Sequence, residues 1–240
     1  MLAIPKPLHG FVRLLYPAAC AGCRGALPDG EQLCEKCREE LPRLLPPFCA
    51  RCSQPFDGSI TGPFTCANCE DRVLHFEMAV SAYRSRSIVR EITHSFKYGG
   101  QRHLRYLLGE WLGETLDDPR LAGAQFDCIV PVPLHPARER ARGFNQAELL
   151  AEVLRHHCKI PVRPLLQRIR YTTSQTHFDR RQRMQNLAGA FRLRRASNVQ
   201  ELRVLLVDDV LTTGSTLSEC ARVLKESGAR SVHAATVARG

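Results

Sequence analysis

Eight of the eleven cysteines lie between Cys20 and Cys69, in four pairs with two residues inside each: Cys20 and Cys23, Cys34 and Cys37, Cys49 and Cys52, Cys66 and Cys69. That spacing limits what this part of the chain can fold into more than any other feature. Two intervening residues let both thiolates of a pair aim at one cation from a single tight turn, and two such turns complete the tetrahedron that structural zinc prefers. The pattern therefore predicts two zinc sites. Pro28, Gly30, Pro46, Pro47, Pro55, Gly58, Gly62 and Pro63 interrupt regular structure around the pairs. Such a segment cannot bury enough apolar surface to fold unaided, so metal binding supplies its folding free energy. Pairing in chain order closes short loops and is the expected arrangement, although interleaved pairing satisfies the spacing too. Four thiolates also suit an iron–sulfur cluster, but evenly repeated pairs favour zinc ribbons. Closed sites leave no open coordination position, so their expected role is structural or partner-facing.

At 240 residues the chain has room for one well-cored domain and a small appendage. The cysteines mark the cut, giving a double zinc ribbon over 1–70 and a larger domain over 71–240. Lys plus Arg exceed Asp plus Glu by ten, and residues 1–70 hold seven of each, so the whole surplus belongs to 71–240. No stretch approaches the ~20 apolar residues that span a bilayer, so membrane insertion is not expected. Phe11 to Ala19 followed by Cys20 has a faint likeness to an export signal, but Arg13 interrupts an apolar run already too short for one. Phe11, Leu14 and Leu15 read instead as one face of a short helix. The expected location is cytoplasmic, where thiols stay reduced and available to metal.

From Phe76 onward strand and helix signals alternate, which implies a largely parallel sheet with helical crossovers. Strands are predicted at Met78–Tyr83, Cys128–Val132, Arg203–Val207 and Val232–Val237. Helices are predicted at Ile88–Tyr98, stopped by Gly99 and Gly100, and at Leu104–Leu116, Asn145–His156 and Thr216–Ser227. The last opens with Thr216 and Glu219 at capping-box spacing and stops at Gly228. The unbroken apolar run Val204–Val207 fits a strand buried on both faces, at the centre of the sheet.

Directly after that run come Asp208 and Asp209, then Val210, Leu211 and the small-residue turn Thr212, Thr213, Gly214, Ser215 and Thr216. In open parallel sheets, ligands bind at the carboxyl edge of the strands. Backbone amides of Thr213 to Thr216, backed by a helix dipole and by hydroxyls, make an anion cradle suited to a terminal phosphate. Gly214 lets the backbone approach closely. Ionised Asp208 and Asp209 only accept hydrogen bonds, so beside a phosphate they need donors, and the vicinal hydroxyls of a ribose are such donors. Sugar on the acids and phosphate on the turn describe one ligand.

The thirteen residues Val204–Thr216 resemble the phosphoribosyl pyrophosphate (PRPP) motif of type I phosphoribosyltransferases. The four cysteine pairs, Val130-Pro-Val-Pro133, Arg142-Gly-Phe-Asn-Gln146 and Thr173-Ser-Gln-Thr176 with Arg183 and Asn186 together resemble the ComF family, from about Cys20 to Arg239. The resemblance implies an α/β fold: a type I phosphoribosyltransferase-like parallel sheet with helices on both faces, plus a small N-terminal zinc-ribbon module. It implies a part in natural competence and in the use of incoming DNA. It makes Asp208 and Asp209 the catalytic pair and has Val210 to Thr216 contact substrate. It places Pro133, Leu134, His135 and Arg138 in the loop that meets the pyrophosphate, where a basic residue is chemically apt. Magnesium would accompany PRPP.

Residues 163–195 contain nine arginines and a single acid, Asp179. By the same resemblance they match the flexible hood that closes over the reacting sugar. Arg180, Arg181 and Arg183 suit pyrophosphate, a nucleic-acid backbone or simply solvent. Phe178, Tyr171 and Phe144 are candidate stacking groups for single-stranded DNA. His135, His156, His157 and His177 have no metal-like grouping. Two functions stay open. One is pentosyl transfer from PRPP to an acceptor for which the sequence offers no pocket. The other is a non-catalytic protein that senses PRPP or nucleotide, or binds single-stranded DNA, with the DNA-uptake machinery as partner.

Overall fold

The computed structural model describes residues 19–28, 30–171 and 187–240. The strands are β1 (Ala79–Arg84), β2 (Cys128–Pro131), β3 (Leu166–Arg168), β4 (Phe191–Leu193), β5 (Arg203–Leu211) and β6 (Ser231–Arg239). Four of these form a parallel sheet in the order β1-β6-β5-β2, while β3 and β4 pair as an antiparallel hairpin. Side chains alternate across β5 with the period of two that a strand imposes. Val204 and Leu206 face one half of the core, Leu205 and Val207 the other.

The helices are α1 (Glu35–Glu39), α2 (Ala67–Glu70), α3 (Ser87–Tyr98), α4 (Arg105–Gly113), α5 (Pro136–Arg142), α6 (Gln146–Cys158) and α7 (Ser215–Glu226). Leu217, Cys220, Ala221 and Leu224 of α7 cover the Val204 face, and α3, α4 and α6 cover the opposite one. The expected helices on both faces are thus present. Helix α3 turns Val89, Ile92 and Phe96 inward at the three-and-four spacing of an amphipathic helix. Gly99 caps it and Gly100 reverses the chain at φ +67°.

The cysteine segment contributes to both halves of this core. Cys49, Cys52 and Cys69 pack with the α7 side, whereas Cys20 and Cys37 pack with the α3 side. Among the described residues no helix is long and apolar enough to cross a membrane.

Three local expectations are corrected. Strand β5 runs on to Leu211, because β6 is long enough to keep bonding it, so Asp208 pairs with Thr236 inside the sheet rather than beyond its end. No capping box opens α7. Gly214 occupies the cap position at φ +76°, and Glu219 instead accepts from the Gly189 amide at 2.7 Å and pairs with Arg222 at 2.7 Å. The predicted Leu104–Leu116 helix divides into 3₁₀ turns at Arg102–Leu104 and Glu114–Asp117 around a shorter α4. The short helix expected around Phe11, Leu14 and Leu15 lies outside the described residues.

Candidate functional site

Strands β2 and β5 run parallel with Pro131 opposite Val207, and the Val132 amide donates to the Val207 carbonyl at 2.9 Å. Both chains therefore leave the sheet at the same edge. β2 continues into Pro133, Leu134, His135 and Arg138, while β5 carries Asp208 on beside β6 before giving way to the Thr212–Thr216 turn. The first loop is anchored by Asn145, which donates to the Val132 carbonyl at 3.2 Å and caps α6 by accepting from the Ala147 amide at 3.0 Å. Gly143, at φ +83°, permits the reversal that brings Asn145 back. His135 caps α5, its Nδ1 accepting from the Ala137 amide at 3.2 Å, and the Arg138 guanidinium lies over the Tyr171 ring at 5.6 Å.

Adjacent residues of a strand point to opposite faces, and this divides the acidic pair. Asp209 is 2% exposed and its Oδ2 lies 3.0 Å from the Lys97 ammonium at the end of α3. Burial alone would lower the Lys97 pKa, but attraction to Asp209 and Asp208 outweighs it and leaves the pKa raised. Asp208 is half-buried and accepts from the Asp209 amide at 2.9 Å. Burial first, and then repulsion from Asp209, push its carboxyl up to about 7. Asp209 is thus engaged inside the protein with Lys97, and Asp208 is the more exposed carboxylate of the two.

In the turn, Gly214 is held in the left-handed region that favours glycine, with Arg72, Leu211 and Phe76 around it. The Thr213 and Ser215 hydroxyls lie 3.0 Å apart, Thr212 is exposed, and Thr216 is half-buried on the first turn of α7. Leu211 is buried in the core, while Val210 is half-buried. Arg180, Arg181, Arg183 and Phe178 lie outside the described residues. Phe144 is no stacking platform: it is 6% exposed, against Phe96 at 5.3 Å and under the Arg102 guanidinium. Tyr171 remains 55% exposed beside His135.

Three residues of this region were not singled out from sequence: Lys97, Arg72 and Arg239. Lys97 stands in the helix-stop run Phe96-Lys-Tyr-Gly-Gly100, and Arg239 ends an otherwise largely apolar strand. A cation where the pattern calls for burial was the available signal.

The cysteines group as Cys20, Cys23, Cys34 and Cys37, and as Cys49, Cys52, Cys66 and Cys69, with the sulfurs of each group within 4.8 Å of one another. Pairing follows chain order. The Cys34 amide donates to Cys20 Sγ at 3.4 Å and the Cys66 amide to Cys49 Sγ at 3.3 Å, bonds that support thiolate character. Two closed four-thiolate sets fit structural zinc.

Fold and sites together define a phosphoribosyltransferase-type α/β protein with two four-cysteine metal sites. The chain matches the double zinc ribbon domain over residues 11–71 and the phosphoribosyl transferase domain over residues 110–240. It is 29% identical to Competence protein F of Haemophilus influenzae over 225 residues, covering 92% of this chain and 96% of that protein. It is 32% identical to DNA utilization protein YhgH of Salmonella typhimurium over 224 residues, covering 91% and 96%. Among solved structures, the glutamine PRPP amidotransferase of B. subtilis is 22% identical, at a TM-score of 0.36, over 54% of this chain and 25% of that one. The chain belongs to the ComF family.

Proposed function

We propose that this protein binds PRPP at the edge where β2 and β5 leave the sheet and acts in the uptake and use of DNA. The observation that carries the reading is the juxtaposition of a half-buried carboxylate, Asp208, with a glycine-containing turn that opens α7. Asp208 would accept from ribose hydroxyls, and the Thr212–Thr216 turn would hold the sugar phosphate. The loop of Pro133, Leu134, His135 and Arg138 would meet pyrophosphate, with Arg138 supplying charge. A magnesium ion arriving with PRPP would neutralise phosphate charge, and carboxylate oxygen is the ligand type it takes. The protein's own share in transfer would be orientation and electrostatic stabilisation. The competence and DNA-utilisation roles named for the relatives support a DNA-related role here. We also take 1–70 and 71–240 as the units of organisation.

Calorimetry with PRPP and magnesium tests the binding. Asp208→Asn is expected to reduce affinity at least 100-fold while retaining shape, and undiminished affinity would sink the assignment. A ligand that needs the ionised carboxylate gains affinity as pH rises through about 7, where Asp208 releases its proton. That gain should vanish in Asp208→Asn, leaving only the titration of the ligand's own phosphates. Pyrophosphate release, followed over a panel of bases and nucleic acids, separates transfer from sensing.

Single-stranded DNA is expected to bind residues 71–240, which carry the entire charge surplus. Reversing Arg180, Arg181 and Arg183 to Glu should lower affinity and flatten the salt dependence by roughly 2 in the log–log slope, at about 0.7 per lost phosphate contact. Fluorescence titrations at several salt concentrations measure it. An unchanged slope would put the nucleic-acid surface elsewhere.

A further inference from the structure

The second cysteine cluster and the Thr212–Thr216 turn are joined by one buried guanidinium. Arg239, at the end of β6, is 3% exposed. On one side its Nε donates to the Cys52 carbonyl at 2.9 Å, and its Nη2 reaches the Gln54 side chain and lies 3.8 Å from Cys52 Sγ. On the other side its Nη1 donates to the carbonyls of Leu211 at 2.9 Å and Thr212 at 2.6 Å. The Gly240 amide adds a second bond to the Leu211 carbonyl at 2.8 Å, and Arg72 donates to the carbonyl of Thr213. Arg72 follows shortly after Cys69, the last ligand of the same cluster. Three successive carbonyls of the turn are thus drawn toward the cysteine cluster.

This arrangement has a stereochemical consequence. In a planar trans peptide the carbonyl and the following N–H point in opposite directions. Holding the carbonyls of Leu211, Thr212 and Thr213 toward the cluster turns the amides of Thr212, Thr213 and Gly214 away from it. An anion cradle requires amides aimed outward in this way. Without the guanidiniums, the Thr212 and Thr213 carbonyls would be free to rotate outward and present their negative ends to an arriving phosphate, while Leu211 would keep its bond from the Gly240 amide.

We propose that the second four-cysteine site positions the anion-binding turn, and that Arg239 is the positioning residue that transmits its geometry. The role, though not the mechanical link, rests on the reading of Thr212–Thr216 as a phosphate turn. Arg239 recognises the cluster through the Cys52 carbonyl and the adjacent sulfur, so the link needs the Cys49–Cys69 loops to hold the shape that a bound metal gives them. The first cluster packs on the other half of the core and has no comparable bond to the turn among the described residues.

The test is hydrogen–deuterium exchange of the full-length, zinc-loaded protein, read at the bonded amides that frame the turn, Ser215, Ser218 and Gly240, and at Val204–Val207 as an internal control. Arg239→Gln is expected to keep two zinc ions per chain and native protection of Val204–Val207, while exchange at the three framing amides rises at least tenfold. Cys66→Ser, which opens the second site, should do the same, whereas Cys23→Ser, which opens the first, should leave them protected. A general loss of stability would raise exchange across the whole of β5 in all three variants and would overturn the proposal. So would unchanged exchange at the framing amides in Arg239→Gln and Cys66→Ser. PRPP calorimetry runs alongside, and Arg239→Gln should weaken binding at least tenfold. If the parent protein does not bind PRPP but the exchange pattern appears, the ligand reading falls and the coupling stands. If the parent binds PRPP and Arg239→Gln binds equally well, the coupling falls and the ligand reading stands.

Discussion

Removing zinc with a strong chelator should unfold the chain well beyond its cysteine segment. Elemental analysis should first find two zinc ions per chain, and about one, none, or an iron–sulfur absorption band would defeat the assignment. Structural zinc in a four-thiolate site contributes on the order of 10–16 kcal/mol to folding, more than most domains possess in net stability. In this protein the ligands are also core residues: Cys20 and Cys49 are 0% exposed, and Cys52 is 1% exposed. Losing the metal makes the crowded, buried sulfurs take up protons and frees the segment around them. Loss of near-ultraviolet dichroism at Tyr83 and Trp111, whose rings lie 4.9 Å apart beneath the first cluster's half of the core, reports the spread. Retention of that signal in the metal-free protein would show that the larger domain stands alone.

The second large effect is expected at Asp209. Replacing it with Ala leaves the Lys97 ammonium, whose side chain is 21% exposed, without its partner at 3.0 Å. Breaking a buried pair from one side costs roughly 3–5 kcal/mol, because the remaining charge keeps its desolvation penalty. Lys97→Met in the Asp209→Ala background should restore most of that loss, since it removes the stranded charge. Urea denaturation of the two single variants and the double variant measures the coupling directly. Additive losses would mean the pair is not an energetic unit. The double substitution Asp208→Ala with Asp209→Ala would therefore mix a binding defect with a folding defect, and Asp208→Asn is the cleaner probe of ligand. Asp208 itself shapes the acid side of the stability curve. Its folded pKa, about 7, stands above its ordinary value of 3.8, so between those limits the folded chain holds a proton that the unfolded chain has released. Stability attributable to this group is present below about 4 and falls as pH rises to about 7.

Much of this was legible in the sequence because periodicity and spacing are local properties. The four apolar runs became the four parallel strands, and the two-residue cysteine pairs became two clusters in chain order. Alternation within β5 was equally available, and it already separates Asp208 from Asp209, yet side-by-side acids invite a reading as one site. What spacing could not supply were partners far along the chain. Lys97 meets Asp209 across more than a hundred residues, and Arg239 meets Cys52 across 187. Glu219 shows the converse: local spacing offered a capping box, and the Gly189 amide and Arg222 took its carboxylate instead. Three-residue strands such as β3 and β4 carry too few alternations to be read at all.

The strand order has a consequence for how the chain is made. Among the described strands, β1 at residues 79–84 pairs with β6 at 231–239, the last of these strands to be made. Closing so long a loop is slow, and apolar surface stays uncovered meanwhile. The cysteine segment emerges early and can take up metal at once, followed by α3, but their inward faces must wait for β6 to arrive. Completion of the sheet is therefore gated by β6, and the interval before it appears is when a holding chaperone would matter most.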